Sequence, residues 1–459
     1  MLGRPPRAPQ HARVSEDASF PTRRRVLRIA WPIILANASS PLLGLADTAV
    51  IGHNDSVEAL GAIALGALIF NFVYWGFGFL RMATTGFVAQ ADGARDELEV
   101  RTSVVRPLLI GGVIGALLFA LQGPIERASL WMLDAGPGVE TITAEYLRVR
   151  IWGAPATLAT FALMGTLIGL GESRRLLAVQ LFLNGLNIGL DVLFAGVMGM
   201  GAVGVALGTA IAEWTSLVLA LVIVMRLLRA RHRDAAPFVD WAHLLDRRAL
   251  RGMFGAHVDI MARTIFLLAG FAWFTNEGAR FGDDVLAANH LLLQIVSFSA
   301  FFLDGFAFAT ESLVGRAKGA RDLAAFDRAL RATTELALVS ALGLAALIWL
   351  CGGAGVDALT EHQVVRDLAR EHLGQVVVYV ALSVWAFQLD GLFIGVTRTR
   401  AMAVATLVAL LLFLGLSELL VPAHANHGLW WAFIGYVVLR AVSLGVVVPS
   451  LRRSIAAQA

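Results

Sequence analysis

The chain has 459 residues, of which 58% are hydrophobic and 15% charged, and its mean hydropathy is +0.71, too apolar for a soluble protein of this length. A single cysteine, Cys351, excludes an intramolecular disulfide framework and any multi-cysteine metal or iron–sulfur site. The formal net charge is +3, with the basic residues in short clusters between apolar runs, a pattern of membrane topology and not of nucleic-acid binding.

In chain order, residues 1–25 form a basic, Pro-rich tail ending in Arg23, Arg24 and Arg25. The apolar run that follows lacks a small-residue cleavage site, so it reads as a retained span and not a signal peptide. Runs of about 20 apolar residues begin near positions 26, 58, 104, 141, 176, 202, 250, 284, 331, 368, 402 and 428, which predicts twelve transmembrane helices in an all-α polytopic fold. The tail, the 90–106 loop, Arg174 and Arg175, the 226–251 stretch, the 315–331 loop, Arg398, Arg400, Arg452 and Arg453 all fall on one side. The 52–59 and 196–201 loops on the other side carry no Lys or Arg. Both termini are therefore expected on the cytoplasmic face. Arg127 and the mixed-charge 357–371 loop depart from the pattern.

A 226-residue offset lays VAQADGARD (88–96) over VGRAKGARD (314–322), with Val88, Ala91, Gly93, Ala94, Arg95 and Asp96 all matched. It also aligns Thr84 with Thr310, Gly165 with Gly391 and Gly169 with Gly395; one inserted residue then brings Gly201 and Gly208 onto Gly428 and Gly435. The chain is thus read as two six-helix lobes, 26–228 and 250–453, joined by a linker at 229–249 and followed by a tail at 454–459. An even number of spans per repeat gives both the same orientation, related by a pseudo-two-fold axis along the membrane normal. No selectivity-filter pattern, HExxH, GxSxG or P-loop occurs, which argues against a channel, an intramembrane enzyme or an ATP-driven pump.

Asp47, late in the first span, is the most conspicuous acid, since a charged side chain at mid-bilayer costs roughly 3 kcal/mol. The repeat offset pairs it with Trp273, so this acid belongs to one lobe only. Asn187 and Asp191, four apart in span 5, share a helix face, and with Thr209 of span 6 they would surround a proton or cation near Asp47, or serve as interhelical polar glue. Pro32 and Pro41 would let span 1 bend. In the second repeat, Asp259 and Arg263, four apart, predict an intrahelical ion pair, while Asp304, Glu311 and Asp390 are expected to join Arg263 in a lobe network. Arg81 is expected to snorkel to the membrane surface.

Twelve spans in two repeats, Pro32 followed by Asp47, the trio Asn187, Asp191 and Thr209, and the stretches LADTAVIGH (45–53), RMATTGFVAQA (81–91), DIMARTIFL (259–267), LDGFAFATE (303–311) and LDGLFIGVTR (389–398) together resemble the multidrug and toxic compound extrusion (MATE) family, in its DinF-like branch. Val258 stands where that branch often carries Arg. The resemblance implies a cation-coupled antiporter alternating between inward- and outward-facing states, without cofactor or catalytic residues. It also implies that Asp47, Asn187, Asp191 and Thr209 form the coupling site, with Na+ as the alternative to H+ at Asp47, Asn187 and Asp191, and a bend at Pro32. The expectation is a monomeric bacterial inner-membrane efflux protein for amphipathic or cationic organic compounds. A lipid-linked precursor flippase is the alternative, disfavoured because membrane acids outnumber membrane Arg and Lys.

Overall fold

The structure, a computed structural model, describes residues 22–54, 57–133, 136–232 and 237–457, without the side chains of 40–43, 45–54, 57, 132 and 133. Among the described residues there are helices and connecting turns but no strand, as expected where lipid offers the backbone no hydrogen-bond partner. The first half comprises α1 (Arg23–Asn54), α2 (Val57–Gly76) with α3 (Phe79–Gly93) as one broken span, α4 (Glu97–Ala120) and a short α5 (Gln122–Leu133). It continues with α6 (Pro137–Arg150) and α7 (Ala154–Gly169) as another broken span, then α8 (Ser173–Asp191), extended by a π-helical turn Val192–Val197, and α9 (Gly201–Arg231).

After a short linker helix, α10 (Trp241–Leu244), the second half runs through α11 (Arg247–Ala279), α12 (Asp283–Gly319), α13 (Leu323–Leu359), α14 (Gln363–Gly395), α15 (Thr399–Gly445) and the short α16 (Val448–Ala456). α15 holds two spans, because Ala425 has φ 47° and ψ −130°. Beyond this reversal Gly428 returns against the Leu420 backbone, where a Cβ would collide. Among the described residues, ten helical stretches have the length and hydropathy to cross a membrane. Separating the two arms of α15 and adding the 32-residue α1 gives the twelve spans expected from the sequence.

The matched segments of the repeat have matching geometry. Arg95 and Arg321 both adopt left-handed backbone conformations, φ 58° and 55°, and in each case the next residue caps a helix: Asp96 accepts from Glu99 N and Asp322 from Ala325 N. Gly171 and Thr397, 226 residues apart, likewise share positive φ. Gly165 meets the Arg81 backbone as Gly391 meets that of Ala307, and Gly169 meets Thr85 as Gly395 meets Glu311. Every member of these pairs is offset by 226, so small residues set helix spacing identically in both lobes.

The lobes join along the C-terminal halves of α3 and α12. Gly93 packs on the Arg316 backbone and Gly319 on that of Gln90, two exchanged versions of one contact, while Ala89 and its counterpart Gly315 touch at the centre. The pseudo-two-fold axis passes through this seam, on the side that carries the linker and both described chain ends. The linker is held there by α4: Arg101 donates to Phe238 O, and Arg106 to Leu244 O and His243 O. The apolar core at this side draws on both halves. Farther away one core consists wholly of residues between 274 and 437, and another lies mainly between 59 and 206, so the lobes diverge toward the opposite side.

Candidate functional site

In the first lobe α1 and α8 run parallel and in register. Ser173 Oγ donates to Arg28 O at 3.3 Å, and Asn184 Nδ2 to Ser39 Oγ at 2.7 Å, both across the same separation of 145 residues. Along α8 the face toward α1 carries Gln180, Asn184, Asn187 and Asp191, linked in part by a Gln180 Nε2 to Asn184 Oδ1 bond of 3.1 Å. Asn187 Nδ2 donates to Asp191 Oδ2 at 2.9 Å and to Thr209 Oγ1 of α9 at 3.1 Å. The Thr209 hydroxyl in turn donates to Val205 O. All three residues are buried, Asp191 completely.

The sequence therefore anticipates this trio, but not Asn184 and Ser39, although Asn184 lies one helical turn before Asn187 on the same face. Close approach of α9 depends on Gly208: a Cβ there would encroach on Asp191 Oδ1 and the Leu190 backbone. The π turn begins immediately after Asp191, and α1 packs along both α8 and that turn. A carboxylate, an amide and a hydroxyl so grouped can hold a proton or a small hard cation. Asn187 Oδ1 accepts no hydrogen bond among the described residues, leaving one buried acceptor open. Pro32 is buried within α1, which stays helical across it. Asp47 and Pro41, though their backbone lies in α1, fall outside the described residues as side chains.

One turn along α9 from Thr209, Glu213 binds Arg150 of α6 through two 2.7 Å bonds, and the guanidinium lies over Phe70 and Tyr74. A buried pair so completely met is structural.

The second lobe revises the expected network. Asp259 and Arg263 do not pair: Asp259 accepts from Thr399 Oγ1 at 2.8 Å, whereas Arg263 reaches Asp390 on α14. Four-residue spacing permits an intrahelical pair, but here each side chain has a better partner on a neighbouring helix. Arg440 also donates to Asp390 Oδ2, at 2.7 Å, so one carboxylate holds two guanidiniums. Arg440 was not anticipated, and a lone Arg within the last span was its only signal. Glu311 leaves this group, taking Arg81 of α3 at 3.4 Å across the inter-lobe seam. Arg81 thus does not snorkel; its guanidinium stacks 3.8 Å over Phe308. Asp304 is half-buried and makes no hydrogen bond or ion pair among the described residues.

At the positions that the offset matches to the first-lobe trio, the second lobe is aromatic: Phe413 stands for Asn187, Ser417 for Asp191 and, allowing for the inserted residue, Tyr436 for Thr209. Phe413 and Tyr436 stack with ring centroids 5.2 Å apart. Trp273, the counterpart of Asp47, donates its indole N–H to Ser417 at 3.2 Å.

Two same-facing six-helix lobes that meet at one membrane face and part toward the other define a secondary transporter, not an enzyme. The chain belongs to the MatE family, whose model matches residues 32–193 and 264–417. It is 36% identical over 420 residues to the DNA damage-inducible protein F of Escherichia coli K12, covering 91% of this chain and 90% of that protein. It is 26% identical over 363 residues to the multidrug resistance protein NorM of Vibrio cholerae, covering 77% of each. Its fold matches that of a MOP superfamily transporter from Pyrococcus furiosus with a TM-score of 0.83 over 95% of this chain and 96% of that one, at 20% identity.

Proposed function

We propose that the protein is a cation-coupled efflux antiporter of the bacterial inner membrane that exports amphipathic or cationic organic compounds. The observation that carries this reading is the buried Asn187–Asp191–Thr209 cluster with its open Asn187 acceptor. The parallel register supports including Asp47: continued along α1, the 145-residue separation that joins Arg28 to Ser173 and Ser39 to Asn184 would bring it level with Val192, the sequence neighbour of Asp191. The second lobe supplies an analogy, since the counterparts of Asp47 and Asp191, Trp273 and Ser417, hydrogen-bond to each other. Efflux of drugs is supported by the names of the NorM relatives.

In this mechanism Asp47 and Asp191 share one coupling ion, H+ or Na+. Two carboxylates in low dielectric resist joint ionisation, and the incoming ion neutralises them. Loss of their repulsion lets α1 repack against α8, bending at Pro32 and Pro41. The positive-inside rule puts the termini, the 229–249 linker and the seam in the cytoplasm, so the lobes described here part toward the outside. Return to the inward-facing state requires the Arg81–Glu311 bridge to open. At 100 mV one inward charge supplies about 2.3 kcal/mol. The test is dye efflux in everted vesicles, energised separately by proton and sodium gradients, with wild type beside Asp47→Asn and Asp191→Asn. Both variants are expected to lose gradient-driven efflux; full activity in both would refute this mechanism, and the gradient that drives wild type identifies the ion.

A further inference from the structure

Six arginines on the terminus-bearing face are set apart by where they stand, against open clefts. Some cations there are paired: Arg23 with Glu335, Arg231 with Asp92 and Glu97, Arg316 with Asp92, and Arg452 with Asp327. Arg24, Arg28, Arg174, Arg251, Arg398 and Arg400 make no side-chain hydrogen bond or ion pair among the described residues. They gather around two clefts. Arg24, Arg28 and Arg174 line one of about 500 Å³ between the starts of α1 and α8. Arg251, Arg398 and Arg400 line another of about 670 Å³ between the starts of α11 and α15.

The repeat relates the two clefts in part. The 226 offset carries Arg174 to Arg400, Arg25 beside Arg24 to Arg251, and Ser173 to Thr399. The last two residues do the same work, since Ser173 bonds α8 to Arg28 O of α1 and Thr399 bonds α15 to Asp259 of α11. The acids close by are engaged: Asp259 by Thr399, and Glu172 by Arg175 at 3.7 Å. Each cleft also has an apolar wall open to its surroundings, with Leu27 45% and Trp31 43% exposed in the first and Val404 54% exposed in the second. Guanidiniums present planar forks of donors that fit phosphate oxygens, and basic clusters at a membrane face attract anionic lipids.

We propose that each cleft binds the phosphate of an anionic phospholipid from the adjoining leaflet, its acyl chains lying along the apolar wall. A soluble phosphate ester offers the same headgroup but nothing for that wall, and the test separates the two. In the first lobe the lipid would bridge α1 and α8, the latter being the helix that carries Asn187 and Asp191.

The full-length protein is melted in neutral detergent with phosphatidylglycerol, phosphatidylcholine or glycerol phosphate added, and its bound lipids are counted by native mass spectrometry. Phosphatidylglycerol alone is expected to raise the melting temperature. The triples Arg24→Gln/Arg28→Gln/Arg174→Gln and Arg251→Gln/Arg398→Gln/Arg400→Gln should each lose one bound lipid and part of the shift, and together all of it. Single Arg174→Gln and Arg400→Gln variants serve if a triple does not fold. Arg247→Gln/Arg248→Gln/Arg453→Gln removes the same charge from exposed positions outside both clefts and should retain lipid and shift. Equal stabilisation by phosphatidylcholine, a full shift from glycerol phosphate, or an equal loss in the charge-matched control would overturn the proposal.

Discussion

The interior of the first lobe around Asn187, Asp191 and Thr209 and its counterpart around Phe413, Ser417 and Tyr436 occupy the same place on the same scaffold. In each, a glycine brings two helices together: Gly208 against Leu190 and Asp191, Gly435 against the matched Leu416. One pocket is polar and holds a carboxylate; the other is packed with rings. The charge plan is also rewired, because the position that is Glu213 in the first lobe, paired with Arg150, is Arg440 in the second and turns to Asp390. Duplication thus supplied spacing and direction, while chemistry was assigned lobe by lobe. Low dielectric makes such divergence costly unless each buried charge is answered locally, and the two lobes answer theirs with different helices.

Giving the first lobe the residue of the second, Asp191→Ser, is expected to have the largest effect. Gradient-driven efflux should fall by more than about tenfold, equivalent to a barrier increase of ~1.4 kcal/mol, whereas Ser417→Ala should change the same vesicle assay by less than about twofold. Survival of efflux in Asp191→Ser would erase the functional distinction between the pockets.

Stability separates the lobes next. Glu213→Gln strands the Arg150 guanidinium and should cost about 3–5 kcal/mol, lowering the melting temperature in detergent. Asp390→Asn strands two guanidiniums and should cost at least as much. A mild effect of either would mean that water reaches the pair. The smallest expected difference concerns the glycines. At Gly208 an added methyl meets backbone and a carboxylate, so Gly208→Ala should cost about 1–3 kcal/mol. At Gly435 it meets only the end of the Leu416 side chain, which can rotate, so Gly435→Ala should melt closer to wild type.

Much of this was legible in the sequence for physical reasons. Span length and charge placement follow from the bilayer, and the repeat survives in glycines and turn residues because backbone contact tolerates nothing larger. The identities at 93–96 and 319–322 are the seam glycine, the left-handed Arg and the capping Asp. Asn187 and Asp191 were legible as a pair because four-residue spacing within one helix predicts a shared face, whereas Thr209 joins them from α9. Spacing says nothing about which helices meet. Asp259 and Arg263 satisfied the spacing rule yet found partners on α15 and α14, and Arg81 met Glu311 across 230 residues of sequence.

The seam between Gly93 and Arg316, repeated between Gly319 and Gln90, is made against main-chain atoms. The spacing of the lobes there is therefore set by small residues, apart from the side chains that line the space above. Selection for new cargo can rewrite those walls residue by residue while the latch beneath them keeps its shape, so that one transporter body can acquire many export repertoires without relearning how to shut.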